Sequence, residues 1–361
     1  MNILIISHEF PPSGGGAGIV AKQYCNYFIE NDHSVTLLSA TAREKNSNLF
    51  KVIKPTNIKL LWPIAYYFKL KELNLENYDR IILNDIGATI VAGLFFNTNI
   101  LAKSIIVLHG QEPEQVYENP SCIYKIINVE KYYHRSILLS KKIIAVSFYM
   151  KSKFIDSLHK KDKKIIESKI IVAYSGVDLK KSSHLKNKNK NKKIKIITVS
   201  RIEKDKGIDD IIYLSNKFKS MGLDFDWTVI GSGSYLKKIK KITLKSNLND
   251  SVFFIGKIPH DNLSSYYEMS DVFVLLSRLK ESFGLVYLES QLCGCPAIGL
   301  NQYGVKESIF HNKSGFLVNN IEEIIPIISN KLYEELVFDV NLFSEFSNSK
   351  AKERINRIIH E

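Results

Sequence analysis

Short runs of β-branched and aliphatic residues recur along the chain, each followed by a stretch whose apolar residues return at helical spacing. In the first half they fall at Ile3–Ile6, Val35–Leu38, Arg80–Leu83, Ser104–Leu108, Ile143–Val146 and Ile170–Ala173. A Lys/Asn run follows, and the pattern restarts at Ile194–Val199, Trp227–Ile230, Val252–Ile255, Val272–Leu276 and Ala297–Leu300. Continuously apolar strands alternating with helices predict parallel sheets covered on both faces. Two such series predict an α/β protein of two Rossmann-like, doubly wound domains facing across a cleft. The expected boundaries are 1–178 for the first domain, 179–193 for a basic linker and 194–340 for the second. A polar tail at 341–361, helical from Ala351 onward, is expected to pack back on the first domain.

A length of 361 residues supports two domains, and 45 % apolar with 24 % charged residues is ordinary globular composition. The longest apolar stretch, Ile86 to Phe96, is about half of the ~20 residues a membrane-spanning helix needs. The segment Met1–Glu9 has no basic start and no small-residue cleavage site, so it reads as a first strand and not as a signal peptide. Cys25, Cys122, Cys293 and Cys295 make no disulfide framework, and Cys293-Gly294-Cys295 is too tightly spaced for a zinc pair. A cytoplasmic location is the expectation, with a peripheral association on the inner face of the plasma membrane.

The net charge of +13 is unevenly spread. Cys122–Ile170 holds twelve Lys or Arg against four Asp or Glu, and Lys180–Lys195 holds eight Lys and no acid. The second cluster is low-complexity and reads as linker. In the first, Tyr132, Tyr133, Ile137, Leu138 and Leu139 interleave with Lys131, His134, Arg135, Lys141 and Lys142. That pattern fits a solvated helix face or a surface for anionic lipid. No nucleic-acid-binding motif accompanies the charge.

Candidate chemistry sits after the strands. The first strand runs into Pro11-Pro12-Ser13-Gly14-Gly15-Gly16, where glycines admit a close ligand and the following helix offers N–H groups to an anion. Neither the G-x-G-x-x-G pattern nor a Walker loop is met there. In the second half, Arg201 and Lys206 lie in the loop after Ile194–Val199, a fork and a point charge suited to a diphosphate. Trp227–Ile230 ends in Gly231-Ser232-Gly233, a wall for a flat base. Then come Glu281, Ser282, Phe283, Gly284 and Leu285, with Glu289 eight residues after Glu281. Eight helical residues span about 12 Å, too far for the roughly 5–9.5 Å of a glycosidase carboxylate pair. One ligand lying along a helix start fits better, its phosphate on the first amides.

These pieces resemble, in order and over nearly the whole chain, the retaining glycosyltransferases of family 4, which have the GT-B fold. They are Phe10-Pro11-Pro12-x-Gly14-Gly15, Leu108-His109-Gly110, Ala145-Val146-Ser147, Tyr174-Ser175-Gly176-Val177-Asp178, and Val199-Ser200-Arg201 with Lys206-Gly207. Ile230-Gly231-x-Gly233, Phe254-Ile255-Gly256, Glu281-Ser282-Phe283-Gly284 with Glu289, and Gly315-Phe316-Leu317-Val318 complete the series. Glu281 and Glu289 match the family's Glu-x7-Glu motif. Ser175 departs from the family's usual Asn.

The resemblance implies that Glu281 binds donor-sugar hydroxyls, Glu289 the ribose, and Arg201 with Lys206 the departing diphosphate in place of a metal. It implies that Gly14, Gly15 and Gly16 close over donor phosphates or acceptor, and that His109 faces the anomeric centre. Domain closure would exclude water, and the leaving phosphate would take the acceptor's proton. The expected function is metal-independent transfer from a UDP- or GDP-linked sugar, without cofactor, to a glycan acceptor. A lipid-linked acceptor in bacterial surface polysaccharide synthesis (capsule, O-antigen or related) is the leading expectation. A nucleotide-sugar 2-epimerase on the same fold and a non-catalytic envelope scaffold are the alternatives.

Overall fold

The computed structural model describes residues 1–11, 15–42, 49–55, 62–177 and 193–361. The chain divides into two compact units, one made of Met1–Gly176 with Asn348–Glu361 and the other of Val177–Ser347. The first unit holds β1 (Asn2–Ile6), β2 (Ser34–Leu38), β3 (Lys51–Ile53), β4 (Arg80–Leu83), β5 (Ser104–Leu108), β6 (Lys142–Ala145) and β7 (Ile170–Val172). They form one parallel sheet in the order β3-β2-β1-β4-β5-β6-β7. The second unit holds β8 (Ile194–Val199), β9 (Phe225–Ile230), β10 (Val252–Gly256), β11 (Val272–Leu275), β12 (Ala297–Leu300) and β13 (Gly315–Val318). Its parallel order is β10-β9-β8-β11-β12-β13.

Each unit is therefore a doubly wound sheet, and each has one place where the strand order reverses: between β1 and β4, and between β8 and β11. Central strands are apolar on both faces because helices cover both. Ile3, Leu4, Ile5 and Ile6 of β1 and all five residues of β5 are buried. Two strands fall outside the eleven runs that the sequence pattern marks. Lys51–Ile53 is a three-residue edge strand, and Gly315–Val318 starts on a glycine whose Cβ would lie 2.3 Å from the Ala297 carbonyl oxygen.

The C-terminal residues part company at Ser347, later than the pattern suggested. Phe343 and Phe346 stay in the second unit, Phe310–Phe343 at 5.2 Å and Phe283–Phe346 at 5.5 Å between ring centres. Val177 pairs with Ser347, so the second unit also begins slightly before residue 178. From Asn348 a helix, Asn348–His360, buries Ala351, Ile355, Ile358 and Ile359 in the first unit's core. The Tyr27 hydroxyl donates to Asn348 Oδ1 at 2.6 Å, and Arg80 Nε donates to the Ile359 carbonyl at 2.6 Å. The expected linker lies outside the described residues except for Lys193, whose ammonium meets Asp226 at 2.8 Å.

Ile355, 1 % exposed, gives a direct test of this return. Ile355→Ala should cost about 2–5 kcal/mol of the first unit's stability, read by denaturant unfolding.

Candidate active site

In the second unit the reversal point is bounded by two loops, Ser200–Gly207 after β8 and Leu276–Gly284 after β11. They are sewn together. The Arg278 N–H donates to the Asp205 carbonyl at 2.8 Å, and the Arg278 guanidinium meets Asp210 at 2.7 Å. Gly207, at φ +70°, passes so close to Leu276 that a Cβ would lie 2.2 Å from its carbonyl oxygen. Across this seam Lys206 Nζ and Glu281 Oε1 form an ion pair whose side chains are only 12 % and 17 % exposed. Arg201 lies exposed on the same loop.

The loop after β9 closes the other side. Gly231 runs at φ +144°, where a Cβ would collide with the Ser200 carbonyl oxygen at 1.8 Å. Ile202 N–H donates to the Ser232 carbonyl at 3.0 Å, and Glu203 accepts the N–H of Ser234 at 2.9 Å. The Ser234 bonds hold the Glu203 carboxyl below its usual range.

Beyond Glu281 the chain enters the helix Leu285–Leu292. Its N-cap is Gly284 in the left-handed region, φ +90°, and no side chain caps it. First-turn amides of such a helix are donors without intrahelical partners. Ser282 is half-buried and Phe283 buried beside Phe346. The Glu281 carbonyl accepts the Gly304 N–H at 2.9 Å, which pins the turn. Glu289 lies within the helix and is 14 % exposed; its Oε1 meets His260 Nε2 at 2.9 Å, and its Oε2 accepts from the Tyr267 hydroxyl at 3.4 Å. Lys206 and Glu281 are thus in contact, and Arg201, Gly231, Ser282, Phe283, Gly284, Leu285 and Glu289 occupy the loops and helix around them. His260 and Tyr267 were not anticipated; Pro259-His260 opens a turn after β10 that carries no pattern of its own.

The first unit's reversal point is polar and largely buried. Asp85 caps the helix Ile86–Phe95 through the Ala88 N–H at 2.8 Å and also accepts the His8 N–H. Buried Asn84 donates through Nδ2 to Ser7 Oγ at 3.0 Å and to the Ala17 carbonyl at 2.9 Å. Its Oδ1 is therefore the atom that faces His109 Nε2, 3.3 Å away, and that nitrogen carries the proton. Burial pushes the His109 imidazole down to about 4, so it is neutral at physiological pH. Glu112 accepts the N–H groups of both His109 (2.7 Å) and Gly110 (2.6 Å). Gly15 N–H donates to Glu9 at 2.7 Å, and the helix Gly16–Ile29 follows. Gly14 lies outside the described residues. Of these groups Asn84, Asp85 and Glu112 had not been singled out. An Asp just before the apolar run from Ile86 is a readable N-cap, whereas nothing in the spacing of Glu112 marks it as buried.

Among the described residues no helix is long and apolar enough to cross a membrane, and no cluster of three or more His, Cys, Asp or Glu is arranged to hold a metal ion. Cys25, Cys293 and Cys295 are buried and Cys122 is exposed, and none is in a disulfide.

Comparison with known proteins fixes the class. Residues 14–181 match the model "Glycosyltransferase Family 4" and residues 180–328 match "Glycosyl transferases group 1". The chain is a glycosyltransferase of the GT-B fold. It is 25 % identical to the N-acetyl-alpha-D-glucosaminyl L-malate synthase of Bacillus anthracis, over 85 % of this chain and 81 % of that protein. It is 29 % identical to an uncharacterized 41.2 kDa protein in the cps region of Klebsiella pneumoniae, over 79 % and 73 %. The Anabaena protein Alr3699/HepE, solved in complex with UDP-glucose, superposes with a TM-score of 0.78 at 17 % identity, covering 100 % of this chain and 99 % of that one.

The neutral His109 makes a prediction. The unfolded imidazole has its ordinary pKa of 6.5 against about 4 when folded. The unfolded state binds more protons between those values, so this group's contribution to stability rises with pH across that window and is lost on acidification. Urea unfolding at pH 4.5 and 7 should show a larger acid-side loss in the wild type than in His109→Gln.

Proposed function

We propose that this protein is a retaining, metal-independent glycosyltransferase that moves a sugar from a UDP- or GDP-linked donor to a lipid-linked glycan in bacterial surface polysaccharide synthesis. The observation that carries the reading is the Lys206–Glu281 pair beside the uncapped helix start at Gly284. An ammonium, a nearby exposed guanidinium at Arg201 and a helix N-terminus together offer the charge a departing nucleoside diphosphate needs. Those groups would do the work a metal does elsewhere. Glu281, its other oxygen available to a hydroxyl, takes the donor sugar. Glu289 takes the ribose diol, exchanging its His260 and Tyr267 partners for it. Gly231 lets the base approach the backbone, and Ser282, Phe283, Gly284 and Leu285 shape the phosphate cradle. On the first unit, Gly14, Gly15, Gly16 and His109 serve the acceptor side and the reacting centre. Retention follows from same-face attack, with the departing phosphate accepting the acceptor's proton.

The cps-region relative and the UDP-glucose complex of HepE support the surface-polymer and nucleotide-sugar assignments. Support for a lipid-linked acceptor comes from the helix Cys122–Ile126 and the next residue, where Ile123, Ile126 and Ile127 are 55 %, 83 % and 47 % exposed. Tyr124 of that helix is half-buried against the first unit's core, and burial, with Asp85, pushes its hydroxyl up. Lys125 and the basic stretch behind it suit anionic headgroups at the inner face of the plasma membrane.

Thermal unfolding with UDP, GDP, ADP and CMP, without added metal, tests the donor site. A nucleotide at a hundred times its Kd stabilises by about 2.7 kcal/mol, a clear shift. The shift should appear with one base and vanish in Arg201→Ala. Arg201→Ala, Lys206→Ala and Glu281→Ala should each lose most transfer while staying folded. No shift from a folded sample favours the scaffold, and product release without acceptor favours the epimerase. Flotation with vesicles containing anionic lipid should weaken when Ile123 and Ile126 are both changed to Ser.

A further inference from the structure

The polar network behind His109 is larger than a strand-end turn requires. Glu112 is 2 % exposed, and its two carboxylate oxygens take two consecutive main-chain N–H groups, those of His109 and Gly110. The next peptide is also held: the Gly110 carbonyl accepts from Lys153 Nζ, whose side chain is 9 % exposed and also meets Glu114 at 2.9 Å. Lys153 belongs to the helix Phe148–Ser157, anchored at its start by Ser147. Gly110 itself runs at φ +144°. Directly after Glu112 the chain makes a widened π-helical turn, Pro113–Glu118, closed by the Asn119 N–H on the Glu114 carbonyl at 2.8 Å. Such turns are found preferentially at functional sites.

A buried carboxylate and ammonium cost desolvation that an apolar filling would avoid. An ionised carboxylate, however, is acceptor-only, so it fixes the direction of both amides it receives. With Asn84 holding the ring at Nε2, the main chain and the imidazole of His109 are fixed independently.

We propose that Glu112 and Lys153 are positioning residues that hold the His109–Gly110 peptide in the geometry that transfer requires. This rests on the assignment of His109 to the reaction made above. Both residues act through His109, and neither touches substrate. Their hydrogen bonds are made within the first unit, whereas the proposed donor loops belong to the second, so the proposal separates donor affinity from turnover.

The test compares the full-length wild type with Glu112→Gln, Lys153→Met and His109→Ala. Gln keeps the shape of Glu but presents an NH2 group to one of the two amides. In Glu112→Gln, kcat should fall at least tenfold while KM for the nucleotide sugar and the nucleotide-induced thermal shift stay within twofold. Lys153→Met should lower kcat in the same direction. Hydrogen exchange of the His109 and Gly110 amides should quicken at least tenfold in Glu112→Gln. A purely structural role would lower Tm and leave kcat of the folded protein unchanged, and that result overturns the proposal. A low rate in His109→Ala with a wild-type rate in Glu112→Gln also overturns it. A wild-type rate in His109→Ala removes the reading of the site on which it depends, and the proposal with it.

Discussion

Lys206 and Glu281 share a contact that neither loop could hold alone. One is delivered by the end of β8, the other by the end of β11, and those strands are neighbours because the sheet order reverses between them. Two largely buried opposite charges compensate each other's desolvation, and removing one leaves the other uncompensated. The rest of the second unit's crevice is arranged around keeping that pair assembled. Arg278 ties to Asp205 and Asp210, Gly207 slides under Leu276, and Gly304 fastens the Glu281 carbonyl. The pair is also mechanistically economical, because the ammonium that steadies Glu281 is the cation a leaving diphosphate would meet.

The first unit solves a different electrostatic problem. Its reversal point is lined by groups that are ionised or polar in water but are withdrawn from it here: Asn84 and Glu112 are buried, Asp85 and His109 half-buried. Burial raises the carboxyls and lowers the imidazole, and main-chain N–H groups and Lys153 counter the effect on Glu112. His109 is thereby kept neutral and directed. A neutral imidazole held at Nε2 by Asn84 keeps a fixed ring orientation without adding a positive charge there.

Both sheets were legible because their central strands are uninterrupted aliphatic runs, from Ile3–Ile6 to Ala297–Leu300, and the glycines after them mark the loops. β3 was not, since three half-covered edge residues leave no pattern to read. The charged candidates Arg201, Lys206 and Glu281, in loops after strands, and Glu289, within a helix, stand out in the sequence by type and position. Their partners were harder. Glu112 sits in Gly110-Gln111-Glu112-Pro113, a sequence that reads as an exposed polar loop; burial there comes from the helices of residues 129–139 and 148–157, far along the chain. His260 reaches Glu289 because the helix that follows it, Leu263–Met269, packs against the helix Leu285–Leu292. Long-range contacts of this kind have no local signature.

The return of the last helix has a consequence for how the chain comes off the ribosome. The second unit is one continuous segment, Val177–Ser347, and holds everything its core requires as soon as it is made. The first unit does not: Ala351, Ile355, Ile358 and Ile359 complete a core whose sheet was synthesised some two hundred residues earlier. The earlier-made unit is thus the later one to be finished, reversing the usual order in which domains mature during synthesis. During that interval the bed of the last helix is bare apolar surface, and the nascent chain must be shielded from its neighbours until residue 359 arrives.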